Sequence, residues 1–217
     1  DFYNDELPAL GFDYYSELPE DEKYDAIIVD EGQDFREDWF TCLETMLKED
    51  GSFYVFADPG QKLYQDTLDS LKRYPVSKHK LTRNLRNTEA INDWLIQVAG
   101  GPKTAAFLKG GMPVGVFPWT TVEEERKLIE KEIGRLISQG VKLNRIAILS
   151  PNIKDKSCLA GMDHIKEWPL GSVGDRGVIQ FSTIRSFKGL EADIVFLVDI
   201  REGTPACTGT DVYVGAS

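Results

Sequence analysis

The chain has 217 residues, 41% of them hydrophobic, with 36 acidic against 25 basic side chains and a net charge of −11. That length suits one large domain or two small ones, and no run of about 18 apolar residues offers a membrane span. The charge argues against a broad basic surface for nucleic acid while leaving room for a narrow basic groove.

No signal-peptide pattern opens the chain. Cys42, Cys158 and Cys207 are far apart, without a CxxC pair, and only His79 and His164 could join them. That spacing disfavours a zinc site and suits a reduced, cytoplasmic setting. The chain starts at Asp1 and stops after a strand-like Val212-Tyr213-Val214, so both ends read as cuts in a longer protein.

Residues 1–23 are acidic and aromatic and read as a surface segment feeding the first strand, Tyr24 to Asp30. Phe35, Trp39, Phe40, Leu43, Met46 and Leu47 recur at helical spacing, with Gly51 placed as a C-terminal glycine. Phe53 to Ala57 reads as a second strand and His79 to Thr82 as a third. Asn87-Thr88 is placed to cap a helix carrying Ile91, Trp94, Leu95 and Val98. Gly100-Gly101-Pro102 and Gly110-Gly111-Met112-Pro113 flank a candidate linker.

A second alternating block follows. Val114 to Trp119 reads as a strand, and Thr121 with Glu124 as a capping box for a helix bearing Ile129, Ile133, Leu136 and Ile137. Arg145–Leu149, Val178–Thr183 and Ile194–Val198 read as strands, and residues 151–177 as irregular. Such alternation predicts an α/β fold with a mainly parallel sheet, divided into two unequal pieces.

The chemistry concentrates at strand ends. Asp30-Glu31-Gly32-Gln33-Asp34 follows the apolar Ala26 to Val29. Adjacent acids there suit Mg²⁺ binding and orientation of a water for phosphoryl transfer. Asp58-Pro59-Gly60-Gln61 ends the second strand, where Gln61 is placed to sense a γ-phosphate, although the same residues favour a plain turn. Arg86, in Leu81-Thr82-Arg83-Asn84-Leu85-Arg86, offers a charged fork for phosphate oxygens or a surface ion pair. Thr183-Ile184-Arg185-Ser186-Phe187-Lys188-Gly189-Leu190-Glu191 joins two strands through hydroxyl, basic and acidic groups suited to phosphate and ribose, or simply to a polar loop.

Taken in order, these segments resemble the superfamily-1 DNA helicases of the UvrD/Rep/PcrA type. Asp30 to Asp34 resembles motif II, written DEAQD; Asp58, Gln61 and Leu63-Tyr64 resemble motif III; Leu81 with Asn84-Leu85-Arg86 resembles motif IV. Thr183 to Asp193 resembles motif V, TxHxxKGLEAD, and Val212 to Ser217 the opening of motif VI. The resemblance covers about residues 24 to 217. Its wording is most similar to bacterial proteins that join a nuclease-related domain to such a helicase.

The resemblance implies two RecA-like lobes with parallel sheets and flanking helices: the C-terminal half of the first over residues 1–86, and a truncated second over 87–217. It implies ATP and Mg²⁺ as cofactors, single-stranded or partly duplex DNA as partner, and a fused or associated nuclease domain. Asp30 and Glu31 would hold the metal, with Glu31 activating water. Gln61 would contact the γ-phosphate, and Arg86 would act as an arginine finger. Lys188 and Gly189 would flank the nucleotide, with Glu191 on its ribose. Thr183 and Arg185 would lie near DNA phosphates, and Tyr64 would touch a base.

The chain departs from the pattern in several places. No glycine leads into a Gly-Lys-Ser/Thr phosphate loop, and the arginine that motif VI places after Ser217 is missing. Asp66 stands near the position of a base-stacking aromatic, and Arg185 replaces histidine. The stretch between motifs IV and V is too short for a large inserted subdomain. These departures predict a fragment inactive by itself. They also keep open an ATP-driven switch without unwinding, or a non-catalytic interaction domain.

Overall fold

The computed structural model describes residues 1–58, 77, 79–98, 104–201 and 207–217. The fold is α/β and divides into two compact units, Asp1–Lys80 and Leu81–Ser217. Arg86, where the sequence reading placed the end of the first domain, lies inside the second unit. Among the described residues no helix is long and apolar enough to cross a membrane.

In the first unit a π-helical turn, Phe2–Glu6, leads into α1, Leu7–Ser16. The acidic, aromatic start of the chain is therefore helical. Helix α1 packs on α2, Glu37–Thr45. The approach is close: a Cβ on Gly11 would fall 2.6 Å from the Cys42 sulfur. Strand β1, Tyr24–Val29, pairs in parallel with β2, Leu47–Val55, through Ala26↔Ser52 to Val29↔Val55. The register breaks between Tyr24 and Ala26, and Gly51 lies in β2 rather than ending a helix. Phe40 and Val29 are buried in this unit, while Ile28, Tyr54 and Phe56 are exposed.

The second unit opens with β3, Arg83–Thr88, and α3, Glu89–Val98. Strand β3 begins where the expected strand at His79 to Thr82 was to end. It pairs in parallel with β4, Ala105–Leu108, inside the segment read as a linker. Residues 114–119 form no strand: alternating apolar residues make a strand only where a neighbour offers a free edge.

Helix α4, Val122–Ser138, starts at Thr121, whose side chain accepts the Glu124 amide. Glu124 answers at Thr120, accepting its amide at 2.8 Å and its hydroxyl at 2.9 Å, one residue before the expected box. Strand β5, Ile146–Ser150, is buried along its whole length. It lies inside a five-stranded sheet with β6 (His164–Ile165), β7 (Trp168–Ser172), β8 (Ile179–Thr183) and β9 (Ile194–Leu197), in the order β6-β7-β8-β5-β9. The β6–β7 hairpin is antiparallel and the other pairings are parallel. It occupies part of the segment read as irregular.

Burial on both faces explains the apolar run of β5. Ile129 and Ile133 of α4 pack with Ile146, Ile148, Ile165 and Ile179 in one cluster. Ala147 and Leu149 pack with Ile184 and Phe187 of α5, Ile184–Phe187, in another. Helix α6, Gly209–Ala216, closes the chain. It replaces the strand expected at Val212–Val214, because Thr208 and Asp211 form a reciprocal capping box that starts a helix there. All three cysteines are free and buried.

Candidate functional site

The acids after β1 are built from the backbone outward. Glu31 takes a left-handed conformation, φ 53° and ψ 39°, which few residues with a side chain adopt. Its amide donates to Asp30 Oδ1 at 2.9 Å. Next, Gly32 N–H donates to Phe56 O at 2.8 Å, while Phe56 N–H donates to Val29 O at 2.8 Å. The turn is thereby stitched to the exit of the neighbouring strand. Gly32 has no room for a side chain, since a Cβ would run into Val55 Cγ1.

Gln33 completes this arrangement. It is fully buried. Its Nε2 donates to Glu31 Oε2, and its Oε1 accepts the Asp58 amide at 2.9 Å. One side chain thus holds the Glu31 carboxylate and the tip of β2 together. The sequence contains Gln33 as part of a motif, but its role depends on a partner 25 residues away. Asp30 is exposed at the strand end and Glu31 half-buried beside it. Gln61 and Tyr64 lie outside the described residues.

In the second unit, the β3–β4 ladder pairs Asn84↔Ala106 and resumes at Thr88↔Leu108. Within that irregularity Asn84 Oδ1 accepts the amides of Arg86, at 3.0 Å, and Asn87, at 2.9 Å. A short side chain thereby replaces the missing ladder bonds and shapes the backbone of Arg86. The Arg86 guanidinium reaches the segment before β9: Nε donates to Glu191 Oε2 at 3.3 Å and Nη2 to Leu190 O at 2.7 Å. Two residues read from separate segments as nucleotide contacts, 105 positions apart, meet here in an exposed ion pair, the other reading that the sequence left open for Arg86. Gly189 precedes them with φ 82°, a conformation that favours glycine. Lys188 ends α5, its amide donating to Arg185 O at 3.4 Å.

Thr183 lies at the C-terminal end of β8, and its Oγ1 accepts the Ser186 amide at 3.0 Å, capping α5. Arg185 is half exposed, with Nε 3.6 Å from Oδ1 of Asp211, a side chain only 2% exposed. Any DNA phosphate would have to share or displace this partner. Asp30 and Glu31 belong to the other unit.

A third cluster went unseen in the sequence, because its members come from three elements at no characteristic spacing. Asp199 follows β9 in a left-handed conformation, φ 58°. Its Oδ1 accepts the Cys158 amide at 2.8 Å and its Oδ2 the Ser150 hydroxyl at 2.6 Å. Its own amide donates to Glu125 Oε1 at 2.7 Å. Burial pushes the Glu125 carboxyl above its ordinary range, and burial also pushes the Cys158 thiol up. A pocket of about 240 Å³ borders Cys158 and Asp199, together with Asn152, Lys156, Ser157 and Arg201.

No protein-family model matches the chain, and no curated protein gives a significant match.

Proposed function

We propose that this chain carries part of one RecA-like lobe and most of a second from an ATP-driven superfamily-1 DNA helicase motor. One observation carries the reading. The exit of β1 presents Asp30 and Glu31 beside a parallel neighbour, with Gln33 tying Glu31 to that neighbour's tip. The carboxyl ends of parallel strands are where open α/β sheets place their ligands. The meeting of Arg86 and Glu191 supports the same reading from the other unit.

The donor set fits the cofactors that the resemblance implies. An exposed carboxylate at a strand end, with a second one beside it, is the hard oxygen chemistry that Mg²⁺ takes, and the ion would supply charge neutralisation for phosphates. Asp30 would hold it. Glu31, oriented by Gln33, would accept a proton from water. Arg86 would leave Glu191 to face phosphate oxygens, and Glu191 would accept ribose hydroxyls. Thr183 would donate to the DNA backbone, and Arg185 would add charge there. The buried free cysteines suit a cytoplasmic setting, and a nuclease domain is the partner that the motif wording favours.

The decisive experiment uses the full-length protein. Glu31→Gln is expected to abolish ATP turnover while leaving ATP binding largely intact; unchanged turnover would remove Glu31 from the reaction. A second reading, an ATP-driven switch without unwinding, is favoured by the short stretch between motifs IV and V. A strand-displacement assay separates the two.

A further inference from the structure

Glu125 is 4% exposed, and its Oε2 is buried with no hydrogen-bond partner. A buried carboxylate oxygen that no N–H or O–H group satisfies, with only the weak thiol donor of Cys158 nearby, calls for a ligand. Its surroundings supply the rest of a donor set: the Cys158 sulfur and a carboxylate oxygen from each of Glu125 and Asp199 lie within 4.8 Å of one another. None of these residues belongs to the motor motifs.

We propose that Glu125, Cys158 and Asp199 form a binding site for a thiophilic divalent cation of the zinc type. One sulfur and two carboxylate oxygens make a borderline-soft set, which disfavours Mg²⁺ and Ca²⁺. Zinc takes thiolate at about 2.3 Å and carboxylate at about 2.0–2.2 Å, placing tetrahedral ligand atoms roughly 3.5 Å apart. From a widest separation of 4.8 Å, the donors therefore close by up to about 1.3 Å to meet an ion.

Groups that aim the donors are already in place. Asp199 is fixed by the Cys158 amide and the Ser150 hydroxyl, and Glu125 by the Asp199 amide. Supports of this kind orient ligands in metal sites. The pocket beside Cys158 and Asp199 gives an entry path and space for a water at the fourth position. On binding, the Cys158 S–H bond breaks, a sulfur–metal bond forms, and the proton leaves to solvent. Two carboxylates and a thiolate then surround a dication, and Arg201 and Lys156 on the pocket wall offset the remaining negative charge. The sequence reading disfavoured zinc by counting cysteine and histidine spacing, whereas two of these three donors are acids.

The site does not depend on the motor reading, so the two can fail separately. The test uses purified residues 1–217, freed of metal with a chelator and titrated with Cd²⁺ and then Zn²⁺. One Cd²⁺ per chain is expected, giving a thiolate-to-cadmium ultraviolet band that Zn²⁺ removes, and Zn²⁺ should raise the midpoint of thermal unfolding. Cys158→Ser should abolish the band, while Cys42→Ser and Cys207→Ser leave it. If Cys158→Ser fails to fold by circular dichroism, Glu125→Gln serves instead and should weaken Zn²⁺ binding at least about 10-fold. No band in the unsubstituted chain, a band that survives Cys158→Ser, or unchanged affinity in Glu125→Gln would each overturn the proposal.

Discussion

At Gly32 the space for a methyl group is already filled by Val55. Gly32→Ala is therefore expected to destabilise the first unit by about 1–3 kcal/mol, as overpacking does. Pairing it with Val55→Ala should recover much of that loss if the clash is the cause. Urea unfolding of the single and double variants checks both statements. Gln33 presents the opposite case, a buried polar group with both ends engaged. Gln33→Leu removes two hydrogen bonds and should cost about 1–3 kcal/mol. On the motor reading proposed above, the same substitution in a protein carrying the whole motor should lower kcat for ATP more than it changes KM, because Gln33 would orient a group rather than bind substrate. Asp30 and Glu31 were legible as residues because the strand before them is a continuous apolar run. The bridging of Gln33 was not, since hydrogen-bond partners distant in sequence leave no local pattern.

Helix α6 shows which local signals win at the scale of an element. Val212-Tyr213-Val214 is β-branched and aromatic, and such a run cannot tell strand from helix. The capping box decides, and Thr208→Ala should cost about 1 kcal/mol in thermal or urea unfolding of the second unit. Strand β3 was placed a few residues early for a related reason. Its ladder is interrupted, and Asn84 supplies in side-chain form what a regular strand would supply from its backbone. By contrast, α4 and β5 were read close to their observed bounds, because α4 carries a sustained helical period and β5 a continuous apolar run. The Arg86–Glu191 pair belongs to this scale too. Its partners are 41% and 79% exposed, so Glu191→Ala should change stability by under about 1 kcal/mol. On the proposed motor reading, the same substitution in a protein carrying the whole motor should weaken nucleotide binding, measured by titration with a fluorescent ATP analogue. An unchanged affinity would detach Glu191 from the nucleotide.

Each unit as a whole rests on its own core. In the second unit, Ile148 lies fully buried in the sheet against α4. Ile148→Ala should cost about 2–5 kcal/mol, measured by denaturant unfolding of that unit. The pH response of the same unit contains opposing parts. Glu89 and Glu124 are held low, first by the Lys109 side chain and the Thr120 amide respectively, so their contribution is lost as pH falls. Glu125 works the other way. Its folded form holds a proton more tightly than the unfolded chain, so stability declines as pH rises from its ordinary 4.5 through the raised folded value. Glu125→Gln should flatten that decline in stability curves taken on the metal-free chain.

The burial of the three cysteines has a practical consequence. A thiol reagent reaches the Cys42 or Cys207 sulfur only when the surrounding structure opens, so their labelling kinetics report local opening free energies; Cys158, which borders a pocket, is set apart. Cys42 lies in the first unit and Cys207 in the second. The protein thus carries its own reporters: mass spectrometry of alkylated peptides would time the breathing of each unit separately, with no introduced probe.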